Sequence, residues 1–414
     1  MNTLALLARV ARPIVLQALD AWEIGRVTLH LPDGEVRSFG QPDAEPHSRV
    51  WIERDAFFAK FALQGDLGAG ESYMDGDWRS DDLAQFAALV LRNRHRLALD
   101  SFLSRIINVG NDIRHWLRAN TLAGSRRNIK EHYDLSNELF ATFLDETMTY
   151  SSAVFESRDQ SLADAQRNKY RILAEKAQIG PEDHVLEIGC GWGGFGIHAA
   201  RTCGCRVTGI TISERQHDLA RRRVAEAGLA DRVEIRLQDY RTLEGRFDKI
   251  VSIEMFEALG FENWGLFFRK CDDLLRPNGL VVLQAISIPD QRFAEYRKHA
   301  DWIQRYIFPG SLLAAVGPLV GEATRSSTLL LNHLEDVGLH YAETLARWRR
   351  AFMGSLARVR ELGFDARFVR MWEYYLAVCE AAFATRTLGD IQVVLTRPNN
   401  LALRGISARL KAAA

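Results

Sequence analysis

The chain has 414 residues, 47% hydrophobic and 26% charged, enough to bury a sizeable core and to form two domains at the usual size of about 100–200 residues each. Its 53 Lys and Arg balance 53 Asp and Glu, and zero formal charge argues against a bulk electrostatic partner such as nucleic acid. No apolar run approaches the roughly 18–20 residues of a membrane span, and five cysteines (Cys190, Cys203, Cys205, Cys271, Cys379) without zinc spacing read as structural thiols of a reducing compartment, with no metal site.

In chain order, 1-MNTLALLARVARPIVLQAL-19 reads as a helix: Arg9 and Arg12 break its apolar stretch and no small-residue cleavage site follows, so a cytoplasmic protein is expected. Residues 24–32 and 35–39 flank a Pro-Asp-Gly turn and predict a hairpin, and 49–55 a further extended segment. The stretch 56–93 reads as helical at both ends and glycine-rich between, closing a small α+β domain over 1–95. Residues 96–130 form a basic connector. Between Arg92 and Lys130, nine Lys/Arg (among them Arg114, Arg118, Arg126 and Arg127) face only Asp100 and Asp112, interleaved with Phe102, Ile106, Ile113 and Trp116. That pattern suits an anionic membrane surface, where each basic residue is worth about 1 kcal/mol. It equally suits a solvated interdomain helix packed on protein by its apolar face.

From about 160 the pattern alternates: helix 162–178, strand 184–188, helix 193–203, strand 205–210, helix 213–227, strands 232–237 and 248–253, helix 263–275, strand 279–286. This spacing predicts a parallel sheet with right-handed crossovers. A helical lid is expected around 287–325, the domain ends near 398, and 399–414 is a basic tail.

Where strand 184–188 runs into the next helix, Glu187-Ile-Gly189-Cys190-Gly191-Trp192-Gly193 lets a ligand approach the backbone at a helix N-terminus. Two ligands fit such a turn, a dinucleotide pyrophosphate and S-adenosylmethionine. The Gly-x-Gly-x-Gly spacing with the acid in front favours the second. Downstream, 238-QDY-240 ends a strand, where Asp239 is placed to accept from adenine N6 and Tyr240 to stack on the ring.

Taken together, 131-EHYDLSNELF-140, 147-TMTYSSAVF-155, LEIGCGWGG, 209-GITISERQ-216, 250-IVSIEMFEALG-260 and 304-QRYIFPG-310 resemble the cyclopropane-fatty-acyl-phospholipid synthase and mycolic acid methyltransferase family, and 66-DLGAGESYMDGDW-78 resembles the accessory domain of its full-length members. The resemblance implies an α/β fold, a Rossmann-like methyltransferase domain over 131–398 behind the accessory domain. It places methyl-donor contacts on Tyr150, Ser151, Glu187, Gly189, Cys190, Gly191, Gly193, Thr211, Ile212, Ser213, Gln216, Gln238, Asp239 and Tyr240. Ser213 also suits a plain helix N-cap, and Tyr240 a strand-end aromatic.

The implied reaction carries a one-carbon unit from S-adenosylmethionine to the double bond of an unsaturated phospholipid acyl chain, with cyclopropane formation as the family's default. In the family the proton is taken by a bicarbonate held by a Cys, a Glu, a His, a Tyr and a backbone amide. Here the Glu matches Glu257 and the Tyr matches Tyr341, whereas the Cys has become Ser152, the His has become Gln284, and Ala258 replaces the His that commonly follows the Glu. Ser152 and Gln284 still donate hydrogen bonds, so either an altered bicarbonate site survives or Glu257 is itself the base. Cys379 matches a recurrent family thiol, although transfer from a sulfonium to an alkene needs no covalent enzyme intermediate, and His132 either orients a neighbour or begins a helix capped by Asp134 and Ser136. The expected partners are unsaturated acyl chains, an anionic inner-membrane surface and a second copy of the chain. Alternatives are C-methylation without ring closure, a non-catalytic lipid-binding homologue, and a methyltransferase of soluble small molecules.

Overall fold

The computed structural model describes residues 3–96, 136–298 and 300–403. Most of the basic connector, His132, Asp134 and the tail beyond 403 lie outside them.

The amino-terminal unit begins with helix α1 (Thr3–Leu19) and a four-stranded sheet in the order β2-β1-β3-β4. The expected hairpin is β1 (Arg26–His30) against β2 (Val36–Gly40), and the extended segment is β3 (His47–Ile52), parallel to β1. The stretch read as helical at both ends and glycine-rich between comprises α2 (Ala56–Gln64), α3 (Asp66–Met74), the short strand β4 (Trp78–Ser80) and α4 (Leu83–Asn93), so its glycine-rich part is itself helical. Its glycines are there for close approach. A Cβ on Gly68 would lie 2.0 Å from the Lys60 carbonyl oxygen, and one on Gly70 would lie 2.4 Å from the Trp302 indole.

The second sheet has seven strands in the order β10-β11-β9-β8-β5-β6-β7. Five are parallel, as expected: β5 (His184–Ile188), β6 (Arg206–Thr211), β7 (Val233–Leu237), β8 (Phe247–Ile253) and β9 (Leu275–Ser287). The edge departs from the all-parallel expectation, because β11 (Gly389–Thr396) inserts antiparallel between β9 and β10 (Leu330–Asp336). Helix α5 (Leu162–Lys176) leads into β5, and α6 (Gly194–Cys203), α7 (Glu214–Glu226) and α8 (Trp264–Leu274) join the parallel strands. They bury two apolar layers against the sheet, one built on Leu186, Phe256 and Phe267, the other on Val185, Phe195 and Val282. Strands buried on both faces read as the near-continuous apolar runs VLEI in β5 and LVVL in β9.

The lid region after β9 is helical: α9 (Asp290–Tyr296), α10 (Trp302–Tyr306) and α11 (Val316–Ser326). Two long helices, α12 (Gly338–Gly354) and α13 (Ala366–Ala384), then lead into β11. A third core joins the amino-terminal sheet, the lid and these helices, running from Val27 and Trp78 through Trp302 to Trp348 and Trp372. Polar contacts seal the same seam, with Tyr73 donating to Glu373 Oε2 at 2.8 Å and Tyr306 to Glu71 Oε1 at 2.6 Å.

If the α3–α10 approach is as close as this, Gly70→Val should lower stability by about 1–3 kcal/mol through overpacking. The exposed helical Gly321, whose added Cβ meets nothing within 4 Å, should tolerate alanine or gain up to about 1 kcal/mol from it. Thermal unfolding of the two variants checks the contrast.

Candidate active site

A cleft opens at the carboxyl ends of β5, β6, β7 and β8, on either side of the central strand where the chain direction of winding reverses. The turn after β5 carries Gly189, Gly191 and Gly193 at φ of 81°, 50° and 81°, and the last caps α6. A Cβ on Gly191 would project into open space, while one on Gly189 would strike Met255 at 2.6 Å. Glu187 is buried with Oε2 lacking a protein partner, and burial pushes its carboxyl up to about 8. One wall is Thr211, Ile212 and Gln216; Thr211 Oγ1 donates to Gln216 Oε1 at 2.8 Å. The other is Gln238, Asp239 and Tyr240, with Asp239 gripped by Arg241 through Nε at 2.9 Å and Nη2 at 2.7 Å. Tyr150, Ser151 and Cys190 complete the expected lining. Gly193 and Ser213 stand outside it, and Ser213 is the N-cap of α7, its hydroxyl accepting from the Gln216 amide.

Behind this cleft lies a buried polar cluster centred on Glu254, the residue after β8. Its backbone is left-handed, φ 48°, a conformation that side chains other than glycine rarely adopt. The half-buried side chain opens onto the cleft and is surrounded by protein on its other sides. Three donors meet its carboxylate: Ser152 N at 2.8 Å and Gln284 Nε2 at 2.8 Å on Oε1, and the Tyr341 hydroxyl at 2.6 Å on Oε2. Gln284 Nε2 also donates to Asp390 Oδ2 at 2.9 Å, and Gln392 Nε2 donates to Gln284 Oε1 at 2.9 Å, which fixes the Gln284 amide with its NH2 toward both acids. Lys169, fully buried on α5, donates to Ser151 Oγ at 2.6 Å; burial pulls its ammonium down to about 8, against the raising fields of Glu254 and Asp390. Burial likewise raises Glu254 and Asp390, and Asp390 is pushed further by Glu254 and Glu257.

Ser152, Gln284 and Tyr341 are thus brought together as the sequence suggested, but around Glu254 and not around Glu257. The reason is geometric: Glu254 ends the strand and turns inward, whereas Glu257, three residues on, takes the Ile286 amide on Oε1 while its carbonyl accepts from Leu312 N at 2.8 Å. Glu257 is buried, with Oε2 lacking a protein partner, and burial together with the charge of Glu254 raises its carboxyl to about 8. The Ser152 hydroxyl donates to the Ala153 carbonyl oxygen, so this residue offers Glu254 its backbone amide. Cys379 sits elsewhere, on α13 in the core shared with the lid, its thiol raised by burial and by Asp301, away from the thiolate a nucleophile needs. Glu254, Asp390, Lys169 and Gln392 were missed in the sequence. Glu254 lay inside a quoted motif and carried a signal, two glutamates three apart where a strand ends.

Residues 121–393 match the family model described as mycolic acid cyclopropane synthetase. The chain belongs to this family. It is 40% identical over 394 residues, 90% of this chain and 89% of that protein, to the tuberculostearic acid methyltransferase UfaA1 of Mycobacterium tuberculosis. It is 35% identical over 363 residues, 84% and 87% of the two chains, to the cyclopropane-fatty-acyl-phospholipid synthase of Escherichia coli. The solved mycolic acid cyclopropane synthase CmaA1, complexed with SAH and CTAB, superposes with a TM-score of 0.62 at 28% identity over 66% of this chain and 98% of that one. The protein is an S-adenosylmethionine-dependent methyltransferase of the family that contains cyclopropane synthases and fatty-acid methyltransferases.

The residues present fit the donor. Three glycines open the turn at the α6 N-terminus, and the buried Tyr240 hydroxyl lining the cleft lacks a protein partner. When bound, S-adenosylmethionine supplies an electrophilic methyl carbon on a sulfonium. Gly191→Val should therefore weaken donor binding by at least about tenfold, since a side chain there meets both a left-handed backbone and the ligand's space. Titration calorimetry with S-adenosylmethionine, beside circular dichroism for the fold, checks this.

Proposed function

We propose that this enzyme transfers a one-carbon unit from S-adenosylmethionine to the double bond of an unsaturated phospholipid acyl chain, leaving a methyl- or methylene-branched chain without ring closure. The observation that carries the reading is Glu254, a carboxylate that forms part of the donor cleft and is held there by three protein donors. An isolated alkene is a weak nucleophile, and its attack on a methyl group leaves a carbocation. A site for that chemistry needs dry walls, π faces and negative charge. Beside the cleft, Tyr150 packs on Trp348 with ring centroids 5.3 Å apart and bonds the Tyr375 hydroxyl at 2.8 Å, and Tyr341 stacks on Phe383 at 4.4 Å. Where the proton leaves decides the product. A carboxylate anchored at the end of β8 addresses one place along the acyl chain, and the 40% identity to a tuberculostearic acid methyltransferase supports the branched outcome. Ring closure is the second reading, favoured by the likeness to the Escherichia coli synthase.

Expression in a host rich in unsaturated phospholipids should yield acyl chains one CH2 heavier that take up hydrogen under mild catalytic hydrogenation. Chains that gain the same mass but resist hydrogenation would be cyclopropanes and would transfer the assignment to the second reading.

The substrate's place in a bilayer favours docking on an anionic surface. No helix among the described residues is long and apolar enough to cross a membrane, and α1 leaves Leu6, Leu7, Val10 and Ile14 exposed on its outer side. The basic connector would supply the charge. Replacing Arg114, Arg118, Arg126 and Arg127 with Gln should reduce co-sedimentation with anionic vesicles several-fold, as should added salt for the wild type. Binding indifferent to both would return the connector to a plain interdomain segment.

A further inference from the structure

We infer that Glu254 is the catalytic base of the transfer: its carboxylate, held by Ser152, Gln284 and Tyr341, takes the proton that the acyl cation must lose, and no exogenous anion is required. The inference rests on the reaction proposed above. Glu254 is the member of the cluster that is both gripped by three donors and open to the cleft, whereas Gln284 and Asp390 behind it are fully buried.

The arrangement separates two acids. Gln284 Nε2 bridges Glu254 Oε1 and Asp390 Oδ2, at 2.8 Å and 2.9 Å, which sets the two carboxyl groups on one amide nitrogen. Two adjacent buried carboxylates do not both stay ionised. Donors from Ser152, Gln284 and Tyr341 favour the charged form on Glu254. Asp390 has Gln284 as its side-chain donor, leaves Oδ1 without a protein partner, and holds the proton. The buried Lys169 ammonium and the acid Glu257 set the surrounding field, and Gln392, itself bonded by Lys176 at 2.6 Å, is a positioning residue for the Gln284 amide. In the step itself the alkene π pair forms the new C–C bond and the S–C pair returns to sulfur, leaving S-adenosylhomocysteine and a carbocation. Glu254 then removes a proton, the C–H pair becomes the new alkene bond (or the ring bond, if the proton comes from the added methyl), and the neutral Glu254 carboxyl releases its proton before the next turnover.

The wild-type enzyme assayed in carbon-dioxide-free buffer should turn over within about twofold of its rate with bicarbonate. Glu254→Gln should lower turnover at least about 10²-fold with donor affinity unchanged. Glu254→Gly suits the left-handed backbone and leaves the three donors around a carboxylate-sized space, so bicarbonate or formate should restore its rate at least about tenfold. On donor-free protein, NMR of 13C-bicarbonate should detect binding to Glu254→Gly and none to the wild type. A wild-type rate that collapses without bicarbonate, or Glu254→Gln at full rate, overturns the inference while leaving the reaction class intact. Should the wild type modify no acyl chain, the reaction class falls instead, and the NMR comparison still decides whether Glu254 fills this space: equal bicarbonate binding by wild type and Glu254→Gly would overturn it. The wild-type assays need no variant, so misfolding of either variant leaves the decision in place.

Discussion

A carboxylate set into a protein interior must be met by donors, because an ionised group left unpaired there costs several kcal/mol. Glu254 is met from three directions. The segment before α5 gives the Ser152 amide, the middle of β9 gives Gln284, and α12 gives Tyr341. Strand order makes this possible: β11 enters between β9 and β10, so Gln392 pairs in register with Gln284, and Asp390, in register with Ile286, is within reach of the Gln284 amide. The antiparallel edge that the sequence pattern did not announce is therefore what lines up the residues behind the reacting cleft.

The donor side rests on a separate constraint. Three glycines with positive φ bring backbone, with no side chains, to the N-terminus of α6, and Gly189 leaves room for Met255, the residue following Glu254. The glycine turn and the carboxylate are thus packed through adjacent residues, which ties donor position to base position. On the far side, the lid and the amino-terminal unit share one aromatic core with α12 and α13, the helix pair that supplies Tyr341 and carries Tyr375. An apolar wall of that size keeps water away from a cation, which any lipid alkylation requires.

Local patterns were legible in the sequence and long-range ones were not. The strand 184–188, the helices around the glycine turn and the cleft-lining residues Gln238 to Tyr240 could be read because periodicity and turn chemistry act within a few residues. The order of α3 was hidden, since Gly68 and Gly70 look like loop residues until Lys60 and Trp302 arrive against them. Glu257 drew notice because it matched a motif. Glu254 needed the structure, because its importance comes from residues 102 positions before it and 87 after it. Lys169 and Asp390 look like ordinary surface charges in sequence, and only the fold shows both fully buried.

The most direct measurement is a crystal structure with S-adenosylhomocysteine and an unsaturated phospholipid bound. The account predicts a Glu254 oxygen facing the acyl carbons beside the site of transfer, with Ser152 N, Gln284 Nε2 and Tyr341 OH all on its carboxylate. A small anion among those three donors, with the Glu254 side chain turned away from them, would contradict it.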